Sequence, residues 1–74
     1  MNPQKIKGRI VEAGLTQGRA ATLIGMSGNS LSRKLTGKRD FTLSEIVSLC
    51  TILKITDPIP YFFESLATNT QQNA

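Results

Sequence analysis

The chain has 74 residues, nine Lys and Arg against five Asp and Glu, no histidine, a single cysteine and a net charge of +4. This length supports one small domain, which buries only about 60% of its unfolded surface and so must draw its stability from efficient packing or from a partner. With Cys50 alone and no histidine, a Cys/His zinc site and an intrachain disulfide are excluded, and the five scattered carboxylates Glu12, Asp40, Glu45, Asp57 and Glu64 offer no acid–base pair for an enzyme.

Punctuation residues divide the chain into five short helical segments, and no stretch alternates as a half-buried strand would. The first helix is predicted to start with Asn2 as N-cap and Pro3 at the first helical position, to present Ile6, Ile10 and Ala13 on one face, and to end at Gly14. Thr16 caps a second helix from Gln17 to about Ile24, closed by Gly25, and Ser27 caps a third from Gly28 to about Thr36, closed by Gly37. The fourth opens on Thr42-Leu43-Ser44-Glu45, a capping box, and carries Ile46, Val47, Leu49, Cys50 and Leu53 at helical spacing. Asp57-Pro58 opens a short fifth helix with Tyr61, Phe62, Phe63 and Leu66. Residues 67–74 are polar and uncharged and are expected to form a tail beyond a domain spanning residues 1–66.

Charge is unevenly distributed. Residues 1–39 hold eight cationic side chains against Glu12, a net +7, whereas residues 40–74 hold Lys54 against four carboxylates, a net −3. Such a split presents a positive half to a polyanion. The longest apolar run is too short to span a bilayer, no secretory signal opens the chain, and an unpaired thiol suits a reducing compartment, so a cytoplasmic protein is expected. Neither a membrane partner, a cofactor nor a small-molecule substrate is implied.

The second helix, the turn Gly25-Met26-Ser27 and the third helix have the layout of a helix-turn-helix, with Ala21 small where the helices cross and Gly25 supplying positive φ. The spacing alone also fits a generic helical hairpin. Together with Leu15-Thr16-Gln17, Ala21, Ile24-Gly25-Met26-Ser27, Leu31-Ser32-Arg33, Leu35-Thr36-Gly37-Lys38-Arg39 and Leu43 to Leu53, it resembles the Cro/repressor (XRE-like) helix-turn-helix domains of temperate phages and bacterial regulators, over about residues 4–66. The resemblance implies an all-α, compact five-helix bundle of the lambda-repressor-like kind. It implies that Gln17 meets a phosphate, that the third helix reads the major groove through Gly28, Asn29, Ser32 and Arg33 with Ser27 at its start, and that Lys38 and Arg39 grip the sugar-phosphate backbone with Lys34 assisting. Two positions depart from the family pattern. Gly28 stands where a reading side chain is usual, and Gly18-Arg19-Ala20 replaces an acidic and leucine-bearing start of the second helix.

The expected core comprises Ile6, Ile10, Leu15, Ala21, Ile24, Met26, Leu31, Leu35, Leu43, Ile46, Val47, Cys50, Leu53, Ile55 and Phe62, with Cys50 a packing residue. Tyr61 and Phe63 are left as a self-association patch for a homodimer. Two functions follow from the resemblance: a Cro-like regulator of a lytic/lysogenic switch that binds a double-stranded DNA operator and lacks a cleavable C-terminal domain, or an antirepressor that binds the DNA-binding domain of a partner phage repressor.

Overall fold

A computed structural model describes residues 1–64; the predicted tail at 67–74, and Leu66, lie outside the described residues. The described residues form an all-α globule of five helices: α1 (Pro3–Glu12), α2 (Gln17–Leu23), α3 (Gly28–Leu35), α4 (Leu43–Leu53) and α5 (Ile59–Phe62). Each start has the cap that the sequence predicts. The side-chain oxygens of Asn2, Thr16, Ser27 and Thr42 accept the backbone N–H of Lys5, Arg19, Ser30 and Glu45, and Glu45 returns the favour by accepting the Thr42 N–H at 2.9 Å. At α5 the Asp57 carboxylate accepts the Ile59 N–H at 3.1 Å instead.

Helix ends share one device. After α2, Gly25 takes φ +80°, its N–H bonds the Thr22 carbonyl and the Met26 N–H reaches back to Ala21, the paired bonds of a Schellman motif. Gly14 and Gly37 close α1 and α3 in the same way. α4 closes with the same bonds, Lys54 to Thr51 and Ile55 to Cys50, but with Lys54 at φ 56° in place of a glycine.

α2 packs chiefly on α3 and touches α1 and α4, while α1 also holds α5. The core is Ile6, Ile10, Ala20, Ala21, Leu31, Leu35, Ile46, Leu49, Leu53, Ile55 and Phe62. Leu15, Ile24, Met26 and Cys50 pack against it half-buried. Two expected core residues are corrected: Leu43 is 72% exposed and Val47 57% exposed. α4 is apolar at so many positions that spacing alone does not choose its buried stripe, and the stripe that faces the other helices is Ile46, Leu49 and Leu53. Leu49 and Ala20, both fully buried, belong to the core in addition to the residues predicted. Burial pushes the Cys50 thiol up from its ordinary value, which favours its protonated form.

Long-range ties close the bundle. The Asn2 N–H bonds the Tyr61 carbonyl at 2.7 Å, fastening the N-terminus to α5. Arg9 is paired with Glu12 at 2.7 Å and also donates to the carbonyl of Leu53, so a cation from α1 satisfies the C-terminal end of α4. The Lys34 ammonium of α3 pairs with Glu45 of α4 and lies 6.0 Å from the centre of the Phe41 ring, which meets Phe62 edge-on at 5.5 Å.

Two outcomes follow. Lys54→Gly should raise stability by about 1 kcal/mol, because the left-handed conformation strains every residue with a Cβ; a urea midpoint at or below that of the parent contradicts this. The Glu45 carboxyl is held below its ordinary value of 4.5 by the hydrogen bond from Lys34 and then by that from the Thr42 N–H. A depressed carboxyl stabilises the fold above its unfolded pKa and ceases to do so as pH falls through the folded value. The stability advantage over Glu45→Gln should therefore be full at neutral pH and shrink as pH drops below 4.5, measured as the difference in urea midpoints across pH.

Candidate nucleic-acid interface

α3 is eight residues long and strongly two-sided. Leu31 and Leu35 are buried to 0% and 1% exposure, which fixes the rotation of the helix about its axis and turns Asn29 and Arg33, one helical turn apart, to the exposed side. Ser32 is half-buried beside them, and Gly28 is exposed at the head of the helix. Ser27 caps the helix: its hydroxyl accepts the Ser30 N–H at 3.1 Å and donates to the Ser30 hydroxyl at 3.0 Å, so its hydrogen is committed within the protein.

The loop after α3 brings Lys38 and Arg39 to the surface, both exposed and neither paired with a carboxylate among the described residues. Lys34 is different. Its side chain is only 12% exposed and pairs with Glu45 beside Phe41 in the α3–α4 contact, where it braces the two helices. An ammonium paired with a carboxylate in a sheltered site has part of its charge offset within the protein.

Gln17 stands at the first position of α2, half-buried, beside Lys7, Ile10, Val11 and Leu15 in a shallow recess, with its amide unbonded among the described residues. The N-terminal ends of α2 and α3 lie side by side: a Cβ on Gly28 would come 3.6 Å from the Gly18 Cα, ordinary contact, and the Gly28 φ is not positive. Neither space nor backbone conformation therefore requires glycine at 28. Sequence reasoning passed over Arg19, which is exposed in the first turn of α2 next to Gly18; the signal was its charge at a position that departs from the family pattern.

Chemically, the exposed side of α3 offers one amide with both donor and acceptor and one guanidinium fork, the groups that pair bidentately with adenine and guanine. Around them stand Lys38 and Arg39, without carboxylate partners among the described residues, which suit a polyanion. Among the described residues no group of three His, Cys, Asp or Glu is placed to hold a metal, and no helix is long and apolar enough to cross a membrane. Tyr61 and Phe63 lie elsewhere, on α5 and at its end, both half-buried; Lys5 sits 5.8 Å from the Tyr61 ring centre, and Phe63 borders a groove with Leu43 and Val47.

No curated protein and no solved structure matches the chain. The family described as a helix-turn-helix domain matches residues 10–58, from the second half of α1 to the residue before α5. That span contains both crossing helices, the Gly25 turn and the cationic loop, about two-thirds of the chain, and the chain therefore belongs to the helix-turn-helix domain family.

Proposed function

We propose that this protein is a small, non-catalytic transcriptional regulator of Cro type that binds operator half-sites in double-stranded DNA through α3, in a phage lysis–lysogeny switch. The observation that carries the reading is the exposed pair Asn29 and Arg33 on a helix whose other face is buried, followed by Lys38 and Arg39, which have no carboxylate partner among the described residues. Asn29 and Arg33 read base edges, Lys38 and Arg39 neutralise phosphates, and the amide of Gln17 bonds a phosphate at the start of α2. Gly28, Ser27 and Ser32 give the DNA room to approach. Two copies pair through Phe63 and Tyr61, with Phe63 lining a groove of about 260 Å³ that also includes the exposed Leu43 and Val47. Two half-sites are then read by one two-fold assembly.

One observation favours a second reading. Gly28 is bare although neither its φ nor the space around it demands glycine, which leaves the head of α3 open to a protein surface. On that reading the chain is an antirepressor, and α3 docks on the DNA-binding domain of a partner repressor.

Fluorescence anisotropy with duplex DNA across a salt series separates the two. Under the first reading Arg33→Ala costs about 1–3 kcal/mol at one base position and relaxes preference there. Lys38→Ala and Arg39→Ala instead weaken all sequences alike, each lowering the log–log salt slope by roughly 0.9. A flat salt response with no operator preference sinks the first reading. A stable complex with a purified repressor domain on size exclusion, lost in Arg33→Ala, establishes the second.

A further inference from the structure

α2 and α4 open with the same sequence frame, and only one completes it. Thr16 and Thr42 each accept the N–H of the residue three positions on, at 3.0 and 3.2 Å. In α4 that residue is Glu45, whose carboxylate accepts the Thr42 N–H in return. In α2 it is Arg19, a side chain with donors only, so the box is left half-made. Arg19 also sets a cation in the first turn of a helix, where the macrodipole opposes it, and that turn contains no acidic residue. Its guanidinium is exposed and has neither an ion pair nor a hydrogen bond among the described residues. Nothing among the described residues repays the placement.

The surroundings supply what would. Gly18, the residue before Arg19, adjoins Gly28 at the head of α3. Arg19 therefore stands beside one end of α3, and Lys38 and Arg39 follow the other. Eight residues at the rise of an α-helix span about 12 Å, close to the width of the B-DNA major groove. The cations of Arg19 and of the Lys38–Arg39 loop, set beyond the two ends of that helix, are thus spaced to meet the two phosphate rails that flank the groove.

We propose that Arg19 is a DNA-backbone contact that neutralises a phosphate on the rail opposite to the one met by Lys38 and Arg39. This rests on the reading that α3 enters duplex DNA. Arg19 adds affinity without base preference, and the protein keeps it at the expense of the α2 cap.

Because glutamine also completes a capping box, Arg19→Gln gives two readouts of opposite sign. The full chain and its variants are titrated against a fluorescein-labelled duplex of roughly two helical turns, across salt, with thermal unfolding in parallel. Arg19→Gln should lower the log–log salt slope by roughly 0.9 and the affinity by roughly tenfold at 0.1 M salt, equally for different sequences. Its melting temperature should hold or rise, and that of Arg19→Glu should rise by roughly 4–8 °C. Lys54→Gln, at the end of α4, removes the same charge and should leave the slope unchanged. An Arg19→Gln slope equal to the parent's overturns the proposal, and so does an equal fall in Lys54→Gln, which would trace the effect to net charge. A parent chain that shows no salt-dependent duplex binding removes the reading of α3 itself, and is seen before any variant is made.

Discussion

The crossing of α2 and α3 is the constraint from which the exposed face follows. Ala20 and Ala21 are both fully buried, and they are the two residues of α2 that lie in the core. α2 packs chiefly on α3, and the small Ala20 and Ala21 join Leu31 and Leu35 in one core cluster. Larger side chains at 20 or 21 would overpack the contact, at a cost of about 1–3 kcal/mol, or push α3 outward. With Leu31 and Leu35 pinned, α3 cannot rotate, and Asn29 and Arg33 point outward as a consequence rather than by any interaction of their own. The direction of Asn29 and Arg33 is thus set by residues on the opposite, buried face of the helix.

The second support is the brace between α3 and α4. Lys34 and Glu45 join the two helices across the loop that carries Lys38 and Arg39, and Glu45 also caps α4 through Thr42. Phe41, at the end of the same loop, lies under the Lys34 ammonium and against Phe62. Loop backbone is ordinarily the least constrained part of a small domain. Here it is tied at its start by the Lys38 N–H bonding the Arg33 carbonyl at 2.9 Å, and at its end by the aromatic pair. Two cations held on a short tied loop lose less conformational freedom when they meet a partner than the same cations on a free one.

Local chemistry made most of this legible in the sequence, and distance hid the rest. Caps and left-handed turns depend on a few adjacent residues, so the starts at Asn2, Thr16, Ser27 and Thr42 and the closures at Gly14, Gly25 and Gly37 could be read directly. The Lys54 closure could not, since nothing in a lysine announces φ 56°. α4 misled because Leu43, Ile46, Val47, Leu49, Cys50, Ile52 and Leu53 occupy most of its circumference, and only tertiary packing chose Ile46, Leu49 and Leu53. Lys34 read as one cation among several until its partner eleven residues away was seen, and the Arg9 bond to the Leu53 carbonyl spans 44 residues. Asn29 and Arg33 were legible as outward positions because they follow from the burial of Leu31 and Leu35, which their spacing already shows.

The disposition of the carboxylates explains how so small a domain tolerates so basic a half. Glu12 is paired with Arg9, Glu45 with Lys34, Asp57 accepts the Ile59 N–H, and Glu64 accepts from Asn2 at 3.3 Å. Glu45 caps α4 and joins it to α3, Asp57 caps the start of α5, Glu12 pairs within α1, and the fifth carboxylate, Asp40, is exposed beside Arg39. Arg19, Arg33, Lys38 and Arg39 are left without carboxylate partners among the described residues. Neighbouring like charges repel, and a domain without metal or disulfide has little stability in reserve to offset them. A polyanion meeting that face would relieve the same repulsion. The Lys34–Glu45 pair is sheltered and little affected by moderate salt, whereas the exposed cations are screened over about 8–10 Å. Raising salt should therefore steady the free protein and weaken its complex, a divergence that follows from where the acidic residues are placed rather than from how many there are.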